Sequence, residues 1–176
     1  MNFLATSLFA AVPAVAFLAA GCATAPAVKY DAFATLIPTS GSQVSGSVSF
    51  RVIPGGLHMD AAVTGLNQGD HGFHIHEVGN CSAADASSAK GHFNPFGKPH
   101  GNHDHGEHHS GDMPNLSADA SGKAILSVDL PGLAVNPGES NILDRSVIIH
   151  ADPDDYKTQP AGNSGKRIAC GVIKAG

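Results

Sequence analysis

The stretch from Gly91 to Asp112, GHFNPFGKPHGNHDHGEHHSGD, holds six of the chain's 11 histidines and ends on an aspartate three residues after the last of them. Apolar residues are almost absent, so neither a core strand nor an amphipathic helix fits it. A loop this long without periodicity is either disordered or functional. Imidazole is the commonest biological metal ligand and suits zinc and copper, and a bound cation would supply free energy to order the loop. A second cluster, HGFHIHE, runs from His71 to Glu77, and a lone histidine, His150, ends the apolar run SVIIH. Three separated histidine segments around one core point to a metal centre assembled by folding.

Within HGFHIHE, His74 and His76 are two apart. On a strand they share one face while Phe73 and Ile75 point into the core. Alone, such a pair is more often two surface histidines than a site. Its weight comes from its company: His92, His100, His109 and Asp112 follow one another at intervals of eight, nine and three. Three histidines and an aspartate make a tetrahedral set suited to zinc. His74, His76 and His150, with His92 shared, would make a four-nitrogen set suited to copper(II). His103, His105 and His108 are surplus to both sets. The plain reading of them is a solvated polar loop, and the sharper one an auxiliary metal-loading site. His58 is expected to be an exposed strand residue.

These side chains need a scaffold, and the sequence predicts strands. Ala32 to Pro38 is a short β-type run, and Gln43 to Ile53 alternates, with Val44, Val48, Phe50 and Val52 on one face. Pro54-Gly55-Gly56 turns the chain into a return strand, Leu57 to Thr64. After a second turn over Gly65 to Asp70, Gly72 to Val78 is the next strand, and Gly79 to Pro114 is loop. Lys123 to Leu130 alternates, with Ala124, Leu126, Val128 and Leu130 on one side. Ser146 to His150 and Arg167 to Ile173 are the last strands. No amphipathic helix follows residue 21. Short antiparallel strands with long connections imply an all-β Greek-key sandwich or flattened barrel.

Composition agrees with that class. The 21 glycines and 11 prolines among 176 residues favour turns, and 42% hydrophobic residues exclude a disordered chain. A net charge of −5 and the absence of any Lys/Arg run argue against nucleic acid as a partner. Residues 1–21 are almost wholly apolar and read as a secretory signal, although no Lys or Arg precedes the apolar run. A membrane-spanning anchor is the rival reading. Leu18-Ala19-Ala20-Gly21-Cys22 resembles a bacterial lipobox, in which Cys22 is lipidated and attached to the membrane; ordinary cleavage nearby is the alternative. Residues 22–31 then form a tether and 32–176 one domain. Of three cysteines, Cys81 and Cys170 remain as an even pair in an exported protein, where disulfides persist, and two buried free thiols are the alternative.

Taken together, GFHIHE, GHFNP, HHSGDMPNL and GNSGKRIACGVI, in this order, closely resemble copper/zinc superoxide dismutase over roughly residues 32–176. Members of that family are β-sandwiches, in keeping with the strand pattern. The resemblance implies copper at His74, His76, His92 and His150, and zinc at His92, His100, His109 and Asp112, with His92 bridging. It implies that Asp154 links a copper histidine to a zinc histidine, that Cys81 and Cys170 form a disulfide, and that Arg167 is the active-site guanidinium. His71 falls where the family has no ligand and is expected to brace or pack. Between Cys81 and His92 lie ten residues, more than in many animal members.

The implied activity is disproportionation of superoxide to dioxygen and hydrogen peroxide, with one copper and one zinc per subunit and His92 carrying a proton. The implied place is the periplasm, with membrane attachment if Cys22 is lipidated. A homodimer is an expectation that the sequence leaves open. Two rivals are a non-catalytic copper/zinc-binding or storage protein, which would need no Arg167, and a zinc hydrolase, for which no HExxH motif is present.

Overall fold

A computed structural model describes residues 29–176 of the chain. The expected signal over 1–21, Cys22 and most of the 22–31 tether lie outside the described residues. Tyr30 and Asp31, placed in that tether, are already tied to the sheet: the Asp31 N–H donates to Phe50 O at 2.8 Å, and Asp31 Oδ2 accepts from the Val52 N–H at 2.8 Å.

Ten strands and one 3-10 turn (Ser87–Ala89) make up the described secondary structure. The strands are β1 (Ala32–Pro38), β2 (Ser45–Ile53), β3 (Gly56–Thr64), β4 (Gly69–His71), β5 (Phe73–His76), β6 (Leu116–Ala118), β7 (Ala124–Pro131), β8 (Ser146–His150), β9 (Arg167–Val172) and β10 (Lys174–Ala175). The main sheet runs β5-β8-β9-β1-β2-β3-β7, antiparallel throughout, and β10 adds to β1. β4 pairs with β6 in a second small sheet, with His71 opposite Leu116. Gly72 alone separates β4 from β5, and a turn at Asp119–Lys123 joins β6 to β7. The two ends of the main sheet are thereby brought round towards each other, and the sheet curls over one core as a Greek-key barrel.

Alternation in the sequence explains which faces are buried. On β7, Ala124 and Leu130 are buried and Leu126 and Val128 half-buried, whereas Ile125 and Asp129 are exposed. Phe50, Leu57, Met59, Phe73, Ile75 and Ile149 are fully buried in the common core, and each such side chain contributes about 1.5–3 kcal/mol relative to exposure. Val52 departs from the expected pattern. It has the parity of Val48 and Phe50 but is 55% exposed, although its partner Leu57 on β3 is buried. The expected turn over Gly65 to Asp70 gives way to β4 from Gly69.

β8 is buried along its whole length, and its two faces have different covers. Val147 and Ile149 face the main core. Ile148 packs outward with Ala86, Ala89, Cys170 and Cys81 in a second, smaller cluster. The loop after β5 therefore folds back over the outside of the barrel. His74 on β5 pairs with Ile148, so His74, His76 and His150 lie on this covered outer face.

Candidate metal centre

Backbone pairing brings the loop to the histidines of β5. The Glu77 N–H donates to Gly91 O and the Phe93 N–H to Ile75 O, while the Ile75 N–H donates to Gly111 O. Bridges result between His76 and His92 and between His74 and Asp112. Gly111 is needed here because a Cβ would meet Ile75 O. Arg145 holds the adjoining Phe93 ring with its guanidinium carbon 3.6 Å from the centroid. The loop residues thus reach β5 in a fixed register.

Two groups of four result, His74-His76-His92-His150 and His92-His100-His109-Asp112, each with its ligand-type atoms within 4.8 Å of one another. They share His92. In the first group, His74 Nδ1, His76 Nε2, His92 Nε2 and His150 Nε2 are all buried without a hydrogen-bond partner. The second nitrogens of the other three rings are engaged: His74 Nε2 with Asp154 Oδ2 at 2.7 Å, His76 Nδ1 with Lys90 O at 2.9 Å, and His150 Nδ1 with Gly165 O at 3.2 Å. A ring N–H donating to a carbonyl or carboxylate fixes the tautomer and leaves the other nitrogen's lone pair free. Four converging lone pairs without a proton between them are costly unless a cation joins them.

The second group has the spacing of a tetrahedral ion. Asp112 Oδ1 lies 2.8 Å from His92 Nδ1, 3.0 Å from His100 Nδ1 and 3.3 Å from His109 Nδ1, and the two Nδ1 atoms of His92 and His109 are 3.4 Å apart. Bonds of about 2.0–2.1 Å to a tetrahedral zinc place ligands about 3.3 Å from one another. His100 Nδ1 has no hydrogen-bond partner despite its closeness to Asp112, as expected of co-ligands. The donor sets fit copper in the first group and zinc in the second.

Asp154 connects the groups. It accepts from His74 Nε2 and, at 2.9 Å, from His100 Nε2. Asn115 grips the backbone of Asp154 at both its N–H and its carbonyl, and the Tyr156 N–H donates to Oδ1. Gly162 (φ 64°) is positioned where a Cβ would run into the Asp154 carboxylate. His71 Nδ1 meets His150 O at 2.9 Å and its Nε2 meets Asn67 O at 3.0 Å, bracing the end of β8.

Burial and charge set the protonation of these rings. Burial holds His150 down at about 3 and His92 at about 4, and lowers His74 and His76 as well. Neutral imidazoles are what a metal needs. His100 moves the other way, up to about 9: burial opposes its charge, but the Asp112 and Asp154 carboxylates outweigh the burial. For both aspartates burial acts to raise the pKa, and the neighbouring imidazoles hold it well below the usual carboxylate range. The second group is therefore a place that favours positive charge.

Arg167 opens β9 beside the first group. Its Nη1 and Nη2 donate to Ala86 O and Lys90 O, both at 2.6 Å, and its charge acts on His76 and His150. The Cys81–Cys170 disulfide, with Cα atoms 5.8 Å apart, ties this part of the loop to β9. His103, His105 and His108 join neither group. His103 contacts Asp104 at 2.8 Å, His108 Nδ1 meets His109 O, and His105 is exposed. His58, expected to be exposed, is half-buried and held by Asp129 at 2.6 Å and Ser127 at 3.1 Å.

Over residues 44–173 the chain matches the family described as copper/zinc superoxide dismutase (SODC). It belongs to the copper/zinc superoxide dismutase family. Among its relatives, copper–zinc superoxide dismutase 2 of Aquifex aeolicus is 43% identical over 148 residues, covering 81% of this chain and 86% of that one. The copper–zinc superoxide dismutase of Deinococcus radiodurans is 40% identical over 163 residues, with 85% of each chain covered. A shorter match, 50% identical over 106 residues, covers 58% of this chain and 63% of copper–zinc superoxide dismutase 1 of Aquifex aeolicus. A crystal structure of a double mutant of a superoxide-dismutase-like protein from Bacillus subtilis superposes with a TM-score of 0.72 at 39% identity, over 81% of this chain and 96% of that one.

The contributions of Lys90 O, Gly165 O and Arg145 are not legible in the sequence. The first two are backbone atoms, which any residue type can present. Arg145 stands before an apolar strand with no spacing that marks it.

Proposed function

We propose that this chain disproportionates superoxide to dioxygen and hydrogen peroxide, with copper held by His74, His76, His92 and His150 and zinc by His92, His100, His109 and Asp112. The observation that carries this is the set of four buried, unpartnered imidazole nitrogens that share His92 with the second group. When bound, copper supplies the one-electron relay that oxidises one superoxide and reduces another, and zinc supplies a fixed positive charge. His92 Nε2 is the atom on which a proton can be held and given up, because Nδ1 is committed to the Asp112 side. Asp154 keeps His74 and His100 in the required tautomers. Arg167 is the anion-orienting residue, with a permanent charge and a planar fork.

A storage protein would need the same ligands without Arg167, so that residue is the test. Arg167→Ala is expected to lower the second-order rate at least severalfold, to weaken its salt dependence and to leave both metals bound. Arg167→Glu should be slower still. A wild-type rate for the alanine variant at low ionic strength would remove Arg167 from the mechanism.

The disulfide fits an oxidising compartment, which supports export through residues 1–21 and a periplasmic location. Lipidation at Cys22 is supported by the Leu18–Cys22 motif and by the cysteine left over from the disulfide. Cys22→Ser should release the protein from membranes, and unchanged membrane association of that variant would rule the anchor out. Sedimentation of the mature protein distinguishes a homodimer from a monomer.

A further inference from the structure

Three members of the second group have their main chain placed by other main-chain groups. His92 bridges to His76, Asp112 bridges to His74, and the Asp112 N–H donates to His109 O. His100 is different. It lies in residues 97–102, which have no regular structure, and among the described residues no backbone group bonds its N–H or its carbonyl. One side chain takes both instead: the His100 N–H donates to Gln159 Oε1 and Gln159 Nε2 donates to His100 O, each at 2.8 Å. Nε2 also reaches Lys157 O at 3.3 Å. His100 is 3% exposed, and a buried main chain left without partners is costly. Gln159 itself is exposed, so water could satisfy its amide. The benefit of two bonds across a gap of 59 residues therefore lies with His100.

We propose that Gln159 is a positioning residue for the zinc ligand His100, which it sets through the main chain. The proposal rests on the zinc assignment given above. An amide suits the task because it accepts and donates from adjacent atoms, whereas a carboxylate only accepts and an ammonium only donates. The segment after β8 holds the amide ready. Asp155 Oδ1 accepts from the N–H groups of Lys157 and Thr158, the Asp155 N–H donates to Gly162 O at 2.9 Å, and the Gly162 N–H donates to Thr158 O at 2.7 Å. The same segment carries Asp154, which meets His100 Nε2 at 2.9 Å. One segment thus grips His100 at its main chain and at the far side of its ring, and these two fixed ends leave Nδ1 beside Asp112 Oδ1. The hydrogen bonds of Gln159 go to His100 and Lys157, and none goes to His74, His76 or His150.

The test uses the copper- and zinc-loaded protein with Gln159→Met, which keeps the length of the stem and loses the amide, and Gln159→Ala, which loses both. Zinc affinity, read by competition with a chelator, should fall about tenfold in each variant, the lower end of what outer partners contribute to a metal site. Copper affinity should stay at the wild-type value. With cobalt(II) in place of zinc, the visible absorption bands, which report the ligand geometry of the ion, should shift in both variants. Wild-type zinc affinity and cobalt bands in the methionine variant would overturn the proposal. Weaker zinc binding in the alanine variant alone would also overturn it, because the stem and not the amide would then be responsible. Equal loosening of copper and zinc would overturn it too, leaving Gln159 a general support of its loop. A wild-type protein that takes up no zinc would remove the zinc assignment and the role of Gln159 together, whereas normal zinc uptake with unchanged variants removes Gln159 alone.

Discussion

His92→Ala is expected to disable both metal groups at once and to lower superoxide turnover by at least about 100-fold, the upper end of what losing even an outer hydrogen-bond partner costs a metal site. The reason is geometric. His92 Nδ1 sits 2.8 Å from Asp112 Oδ1 and 3.4 Å from His109 Nδ1, while its Nε2 points, unpartnered, into the group of His74, His76 and His150. No other ring belongs to both groups. His150→Ala should therefore affect copper alone and His109→Ala zinc alone. Metal content of the three variants, measured with circular dichroism to confirm the fold, checks this. Full retention of both metals by His92→Ala would show that the groups do not depend on a shared ring.

The second large effect belongs to the Cys81–Cys170 bridge. It closes a segment with a sequence separation of 89. In the chain-entropy model such a loop contributes about 4–5 kcal/mol, an upper figure, and its loss would lower Tm by roughly 10 °C. Metal retention should suffer with stability. The bridge holds the loop whose Ala86 and Lys90 carbonyls receive Arg167 and whose Lys90 carbonyl orients His76. Cys81→Ser should accordingly release copper faster than wild type at the same temperature. If that variant keeps the wild-type Tm and copper content, the bridge has no such role.

Legibility in the sequence differs from element to element. Strands long enough to show alternation, such as β7 with Ala124, Leu126, Val128 and Leu130, can be read directly. β4 and β6 are three residues each, too short for a period of two to register, and in sequence β4 reads as a turn. The convergence of His74, His76, His92 and His150 can be inferred from spacing because imidazoles are rare and chemically specific. His103, His105 and His108 are the same residue type in the same loop and converge on neither group, so histidine density alone would mislead. The interactions that orient the rings are the least legible. Lys90 O and Gly165 O leave no mark in side-chain identity, and Asn115 acts on the backbone of Asp154 across a gap of 39 residues.

Superoxide disproportionation by residues 23–176, reconstituted with copper and zinc together and compared with the same protein given zinc alone, is the decisive measurement. The assignment of the two histidine groups predicts one copper and one zinc bound per chain, turnover only when copper is present, and loss of that turnover when His150 is replaced. Both metals bound at that stoichiometry with no turnover would contradict it, as would equal turnover with zinc alone.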